Sequence, residues 1–173
     1  MIKREFFERD AEVVARELLG KILMRNLNGK IMKAKIVETE AYYNEKDPAS
    51  RACKNGDLKE TMKMKGGNIL VYGVHANWLM NIVTGNEGKA EAVLLRALEP
   101  LNFKAKTSGP GLLCKALGID KGFHKKEIPN DELWLEDSKE KFEIIAGKRI
   151  GVKKDLSRNL RFYIKENKWV SRK

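Results

Sequence analysis

The chain has 173 residues, 42% hydrophobic, with a formal net charge of +11. That length suits one domain, and the apolar content is too high for a disordered polymer of this charge density. The excess charge calls for a polyanionic partner, nucleic acid or an anionic membrane surface, and no apolar run approaches the length of a membrane span.

Asp10 can cap a helix through about Leu19, with Gly20 as its stop. Residues 21–27 read as extended, and Asn28-Gly29 as a tight turn, so the strand through Ile36 and Val37 returns as a hairpin. Tyr43 to Asp57 is polar and loop-like; Asp57 with Glu60 opens a short helix stopped by Gly66-Gly67. Strands are expected at Ile69–Tyr72, Trp78–Val83 and Ala90–Leu98, with Gly73–Asn77 as a turn or hairpin tip. Pro110 suits the first position of a helix ending at Gly118. Phe142–Ala146 and Leu160–Ile164 read as further strands. Strands dominate the middle of the chain and helices its flanks, which makes α+β the expected class, in a single domain spanning 1–173.

Charge is unevenly spread. Residues 148–173 hold ten Lys or Arg against two acids, a net +8, whereas 127–143 hold seven acids against two lysines, a net −5. One basic and one acidic face are expected, although for any single lysine a solvated surface is the simpler account. Cys53 and Cys114 stand far apart and only His75 and His124 could join them, so neither a disulfide framework nor a dedicated metal site is expected. The N-terminal residues lack a signal-peptide core, which favours an intracellular protein.

Two strings carry chemistry. Glu38 and Glu40 sit in Ile36-Val37-Glu38-Thr39-Glu40-Ala41-Tyr42, and Arg96 interrupts Leu94-Leu95-Arg96-Ala97-Leu98. Isolated charges are costly to bury, so acid and base should face each other. A guanidinium beside Glu40 would keep it ionised, and an ionised carboxylate that orients a water is a general base. From spacing alone, a structural salt bridge without catalytic duty is the simpler reading. Tyr42 points the same way as Glu40, and Tyr43, Tyr72 and His75 add flat surfaces that can stack on bases. Trp78 reads as core. Asn81 can read a base edge or merely satisfy a strand end, and Gly109-Pro110-Gly111 is a weak phosphate-binding helix start.

Taken together these segments resemble the alkyladenine (3-methyladenine) DNA glycosylase family. The matching pieces include Ala15-Arg16-Glu17-Leu18-Leu19-Gly20-Lys21, Val37-Glu38-Thr39-Glu40-Ala41-Tyr42, Asp47-Pro48-Ala49-Ser50, Leu70-Val71-Tyr72 and Met80-Asn81. After them come Val93-Leu94-Leu95-Arg96-Ala97-Leu98-Glu99-Pro100, Gly109-Pro110-Gly111, Arg149-Ile150-Gly151-Val152 and Arg161-Phe162-Tyr163. The likeness runs in one order over almost the whole chain. It implies a curved antiparallel sheet with a protruding β-hairpin that enters the DNA minor groove, flanked by helices. It also implies hydrolysis of the N-glycosidic bond of a flipped purine lesion such as 3-methyladenine or hypoxanthine. The resemblance puts the catalytic acid on Glu40 and the water-supporting arginine on Arg96. It puts the base sandwich on Tyr42 and Tyr72, and the guanine-excluding amide on Asn81. Met62, Val74 and His75 are expected to contact DNA. No metal or organic cofactor is implied, and the expected partner is double-stranded DNA containing damaged purines, bound by a monomer. In a prokaryote this would be in the cytoplasm or nucleoid.

Two departures stand out. Arg51 follows Asp-Pro-Ala-Ser where the family usually has His; it either shifts preference towards neutral lesions or lies outside the pocket. The hairpin tip is one residue shorter than usual, leaving Val74 or His75 as the wedge, with His75 preferred for its flat ring. A non-catalytic nucleic-acid-binding module of the same fold is the alternative; a basic ribosomal-type structural protein explains the charge alone.

Overall fold

The computed structural model describes residues 1–172. The Asp10 carboxylate accepts from the backbone N–H groups of Glu12 and Val13 and so starts α1, Ala11–Leu18. Ala11, Val14, Ala15 and Leu18 form its buried face, at the spacing of one helical stripe. Then come β1 (Ile22–Leu27) and β2 (Lys30–Tyr42), joined through Asn28 and Gly29, both at positive φ as a two-residue hairpin turn needs. The chain continues through α2 (Asp57–Met62), β3 (Ile69–Val74), β4 (Asn77–Val83), β5 (Ala92–Pro100) and α3 (Pro110–Leu117). It closes with β6 (Leu133–Glu136), β7 (Ile144–Gly147) and β8 (Arg161–Ile164).

All eight strands join one antiparallel sheet in the order β3-β4-β5-β2-β1-β6, with β8 on β2 and β7 on β8. The long β2 makes this possible. Its first half, through Lys35, pairs with β1; from Glu38 onward the same edge is taken by β8, while β5 lines the other edge from Ala34 to Tyr42. Helix α1 packs on β2 and β5, and α3 on β4 and β5. Ile36, Leu95, Leu98 and Phe162 are fully enclosed in the core beneath them. The α+β class and the curved antiparallel sheet with a β3–β4 hairpin match the expectation.

Three details differ from it. β6 had no counterpart among the expected strands: four residues alternate Leu133 and Leu135 inward with Trp134 and Glu136 outward, a pattern too short to stand out within an acidic stretch. The side chain of Asp57 does not cap α2; the N-cap is Gly56, and the Asp57 carboxylate bonds His124 and Lys125 instead. The fifth strand begins at Ala92 and runs on to Pro100. The strand order runs from the β3–β4 hairpin to β6.

Leu95 lies at the centre of β5 with no exposed surface. Leu95→Ala should lower stability by about 2–5 kcal/mol in a denaturant titration. A loss below about 1 kcal/mol would contradict this packing.

Candidate active site

The site is built on two opposed irregularities in the β2–β5 ladder. Ile36 pairs with Leu98 and Glu38 with Ala97, so Val37 is an extra residue on β2; Thr39 next pairs with Leu95, so Arg96 is an extra residue on β5. Such bulges re-aim side chains, and here they bring Arg96 to both acids of β2. Arg96 Nη1 is 3.5 Å from Glu40 Oε1, and Arg96 Nε is 3.5 Å from Glu38 Oε1.

The two acids are then held differently. Glu38 Oε1 accepts from Arg161 Nε at 2.8 Å and its Oε2 from the Ser171 N–H at 2.7 Å. Glu40 Oε1 accepts from the Ile150 N–H and its Oε2 from the Tyr42 hydroxyl, both at 2.7 Å. Burial pushes the Glu40 carboxyl above its ordinary 4.5, against the opposing pull of Arg96, Ile150 and Tyr42. Burial and then the Glu40 charge raise the Tyr42 phenol well above 10, so it stays protonated and donates. Arg96 is the loosest member of the group: its buried Nε has no hydrogen-bond partner among the described residues.

A cleft of about 800 Å³ opens in front of this group. Tyr42, Arg96 and Ile150 form its floor, Arg51 and Tyr72 one wall, and Lys54, Lys153 and Lys154 its basic rim. Glu40 itself has 0% exposure and does not line the cleft. The resemblance assigns both Glu40 and Arg96 to the reaction, but only one of them reaches the cleft. Arg96 borders it; Glu40 lies directly behind, bonded to Tyr42 and Ile150, which also face the opening. At the inner end a space of only about 10 Å³ is bounded by Tyr42, Tyr72, Asn81 and Arg51, among others. That is about the room one water needs, so this space holds no base as it stands.

Tyr42 and Tyr72 are each covered by an arginine. The Arg149 guanidinium carbon lies 4.5 Å from the Tyr42 ring centre, and that of Arg51 lies 4.6 Å from that of Tyr72. Arg51 thus belongs to the pocket. Asn81 is 2% exposed, and its amide nitrogen donates to the Leu70 carbonyl at 3.3 Å. Val74 and His75 both line the cleft, and His75 and Ala76 form the exposed hairpin apex at positive φ.

Two expectations fail on placement. Met62 has 0% exposure; it packs with Ala52, Leu70 and Val83 beneath the inner space and meets no DNA-facing surface. As the last residue of the short α2, its apolar side chain is what docks that helix. Trp78, read as core, is 39% exposed beside the hairpin tip, opposite Gly73.

Sequence reasoning gave no role to Arg149, although its string was among the matching pieces. It is enclosed, with Nη1 donating to Asp47 Oδ2 at 2.6 Å and to the Ala41 carbonyl at 3.0 Å, and Nη2 to Asp155 Oδ1 at 2.7 Å. Asp47 in turn accepts from the Tyr43 and Ala49 N–H groups. One arginine thereby fixes both the loop that carries Arg51 and the loop that carries Ile150. Flanked by Lys148 before it and Lys153-Lys154 after it, Arg149 carried no local sign that it would be buried.

The methylpurine-DNA glycosylase (MPG) pattern matches residues 5–168. This chain belongs to that family. A protein of Aeropyrum pernix is 41% identical over 99% of this chain and 93% of its own length. One of Clostridium tetani is 40% identical over 99% of both, and one of Borrelia garinii subsp. bavariensis 41% identical over 98% of this chain and 99% of its own. Each carries the name "Putative 3-methyladenine DNA glycosylase". Within the methylpurine-DNA glycosylase frame, no helix here is long and apolar enough to cross a membrane among the described residues.

Burial alone would raise the Asp47 carboxyl, but Arg149 and the backbone donors outweigh it and hold it below its ordinary 3.8. A depressed carboxyl stabilises the fold above its unfolded value, and this contribution is lost as pH falls through the folded value. Arg149→Met should cost about 3–5 kcal/mol at pH 7, because two acids lose their buried partner. The deficit should shrink when urea titrations are repeated near pH 3. An equal deficit at both pH values would contradict the assignment.

Proposed function

We propose that this chain is a monofunctional DNA glycosylase that acts as a monomer on double-stranded DNA and excises damaged purines, 3-methyladenine and hypoxanthine among them. The observation that supports the proposal is the Arg96–Glu40 contact at the floor of a basic cleft lined by Tyr42 and Tyr72.

The reading proceeds from the residues. Lys54, Lys153 and Lys154 on the rim hold phosphates, and the charge favours binding to any duplex. The lesion nucleotide swings out, at a cost of a few kcal/mol that is smallest for a damaged base. His75 at the hairpin apex fills the gap, with Val74 beside it. The base enters between Tyr42 and Tyr72, and the Asn81 amide at the closed end crowds out the 2-amino group of guanine. Water attacks the sugar C1′, its proton passes to Glu40, and the base departs with the electron pair of the N-glycosidic bond. A cationic base leaves as a neutral molecule; a neutral purine takes up a proton as it leaves. The positive charge that develops on the sugar is offset by Glu40 and the flanking phosphates. Glu40 needs only the one layer formed by Tyr42, Ile150 and Arg96 to part. The 3.5 Å Arg96–Glu40 separation, longer than the usual charge-assisted bond, marks where it is weakest.

A second reading, a DNA-binding module without catalysis, draws on the complete enclosure of Glu40. One assay separates them: duplexes containing hypoxanthine or alkylated purines are incubated with the protein, and abasic sites are then cleaved with alkali. The wild type should yield alkali-labile sites. Glu40→Gln should bind with similar affinity but cut about 10²- to 10⁴-fold more slowly. No cleavage by the wild type favours the binding module, and a loss under tenfold in the variant removes Glu40 from the chemistry. Because burial raises the Glu40 carboxyl above 4.5, the excision rate should rise with pH along an acid limb whose midpoint exceeds that value. A midpoint at or below it would contradict Glu40 as the base.

A further inference from the structure

Arg51 is the one arginine lining the cleft and its inner space that no acid answers, and unlike the rim lysines it borders the inner space itself. The other arginines near the base slot each face acids: Arg96 faces Glu38 and Glu40, and Arg149 faces Asp47 and Asp155. Arg51 enters none of the ion pairs formed among the described residues. Its guanidinium instead lies on the face of Tyr72, 4.6 Å from the ring centre, and borders both the outer cleft and the small inner space.

The loop behind it limits its freedom to withdraw. Asp47, clamped by Arg149, sets the start of the Asp47–Ser50 turn, and Ser50 Oγ accepts from the Ala52 N–H at 3.1 Å. Ala52 is fully buried against Met62 and Leu70. The backbone on the far side of Arg51 is therefore fixed, and only the side chain can swing.

From this we infer that Arg51 is a charge filter, and that the pocket selects neutral purine lesions over cationic ones. The inference rests on the glycosylase reading and adds to it the class of base accepted. A purine that enters the slot meets the guanidinium either by stacking on it or by displacing it from Tyr72. A neutral purine can stack on the guanidinium plane and keep the cation–π geometry intact. An N-methylated purinium brings a second positive charge within a few ångströms, in a slot with no acid on that side to offset it. Neither the cleft nor the inner space is lined by an acid, and Glu40, already beside Arg96, lies behind the floor.

The experiment measures single-turnover release of hypoxanthine from a defined duplex and of 3-methyladenine from methylated DNA. It uses the wild type, Arg51→Gln and Arg51→Lys. The quantity read is the ratio of the two rates, which cancels general losses of folding or DNA affinity. Arg51→Gln should raise the 3-methyladenine-to-hypoxanthine ratio at least tenfold, and Arg51→Lys, which keeps the charge, should leave it within threefold of wild type. Measurable release of both bases with an unchanged ratio in Arg51→Gln overturns the filter and leaves the glycosylase reading standing. A raised ratio in both variants assigns the selection to guanidinium shape and overturns the charge argument. Release of neither base by any form of the protein overturns the filter together with the reading beneath it.

Discussion

Two carboxylates and two guanidiniums buried side by side on β2, β5 and β8 constrain everything around them. Glu38 and Glu40 cannot be enclosed unless Arg96 and Arg161 are enclosed with them, because an unpaired charge in the interior is far more costly than a paired one. A regular antiparallel ladder has no place for Arg96 to meet both acids. The extra residues at Val37 and Arg96 provide it, and they also bend the sheet where β8 takes over the edge of β2. Site geometry and sheet curvature thus share one cause. Arg96 stands 3.5 Å from both acids, while their close bonds come from elsewhere: Arg161 and the Ser171 N–H on Glu38, the Ile150 N–H and Tyr42 on Glu40.

A second buried group ties that centre to the surface loops. Arg149 reaches Asp47, Asp155 and the end of β2 at the Ala41 carbonyl, and it covers one face of Tyr42. Its chain neighbour Ile150 donates to Glu40. A shift in the residues around Arg149 would therefore be felt at the carboxylate, at the stacking tyrosine and at the loop holding Arg51. Elements drawn from distant parts of the chain are thereby joined in one hydrogen-bonded group. This is the arrangement required if the reacting groups are to keep their geometry while DNA is forced open against the rim.

Much of this was legible in the sequence because it is local. The Asp10 cap, the Asn28-Gly29 turn, Pro110 at a helix start and Gly118 at its left-handed end are written in single residues and appear in the fold as expected. The acid and arginine inside apolar strings announced a buried pair, and the pair formed. What could not be read was relative depth. Alternation says that Glu40 and Tyr42 share a side, but not that the Tyr42 hydroxyl folds back onto the carboxylate and shields it. Met62 and Trp78 exchanged their expected environments for a similar reason: a helix of six residues gives no reliable face, and a tryptophan opposite a glycine at a hairpin tip lacks the neighbours that would bury it. Arg149 and Asp47 are 102 residues apart, and no periodicity links them.

The charge distribution completes the arrangement. Lys54, Lys153 and Lys154 gather at the cleft, whose lining includes no acid, so a polyanion is drawn to that opening. The central claim is that the enclosed Glu40–Arg96 pair is reached by a single solvent molecule once a purine occupies the cleft. A crystal structure bound to a duplex carrying an uncleavable lesion analogue tests it most directly. The account predicts an ordered water within hydrogen-bonding distance of Glu40 and Arg96 and in line with the sugar C1′. A flipped base seated between Tyr42 and Tyr72 with Glu40 still sealed behind Tyr42 and Ile150, and no solvent beside it, would contradict the account.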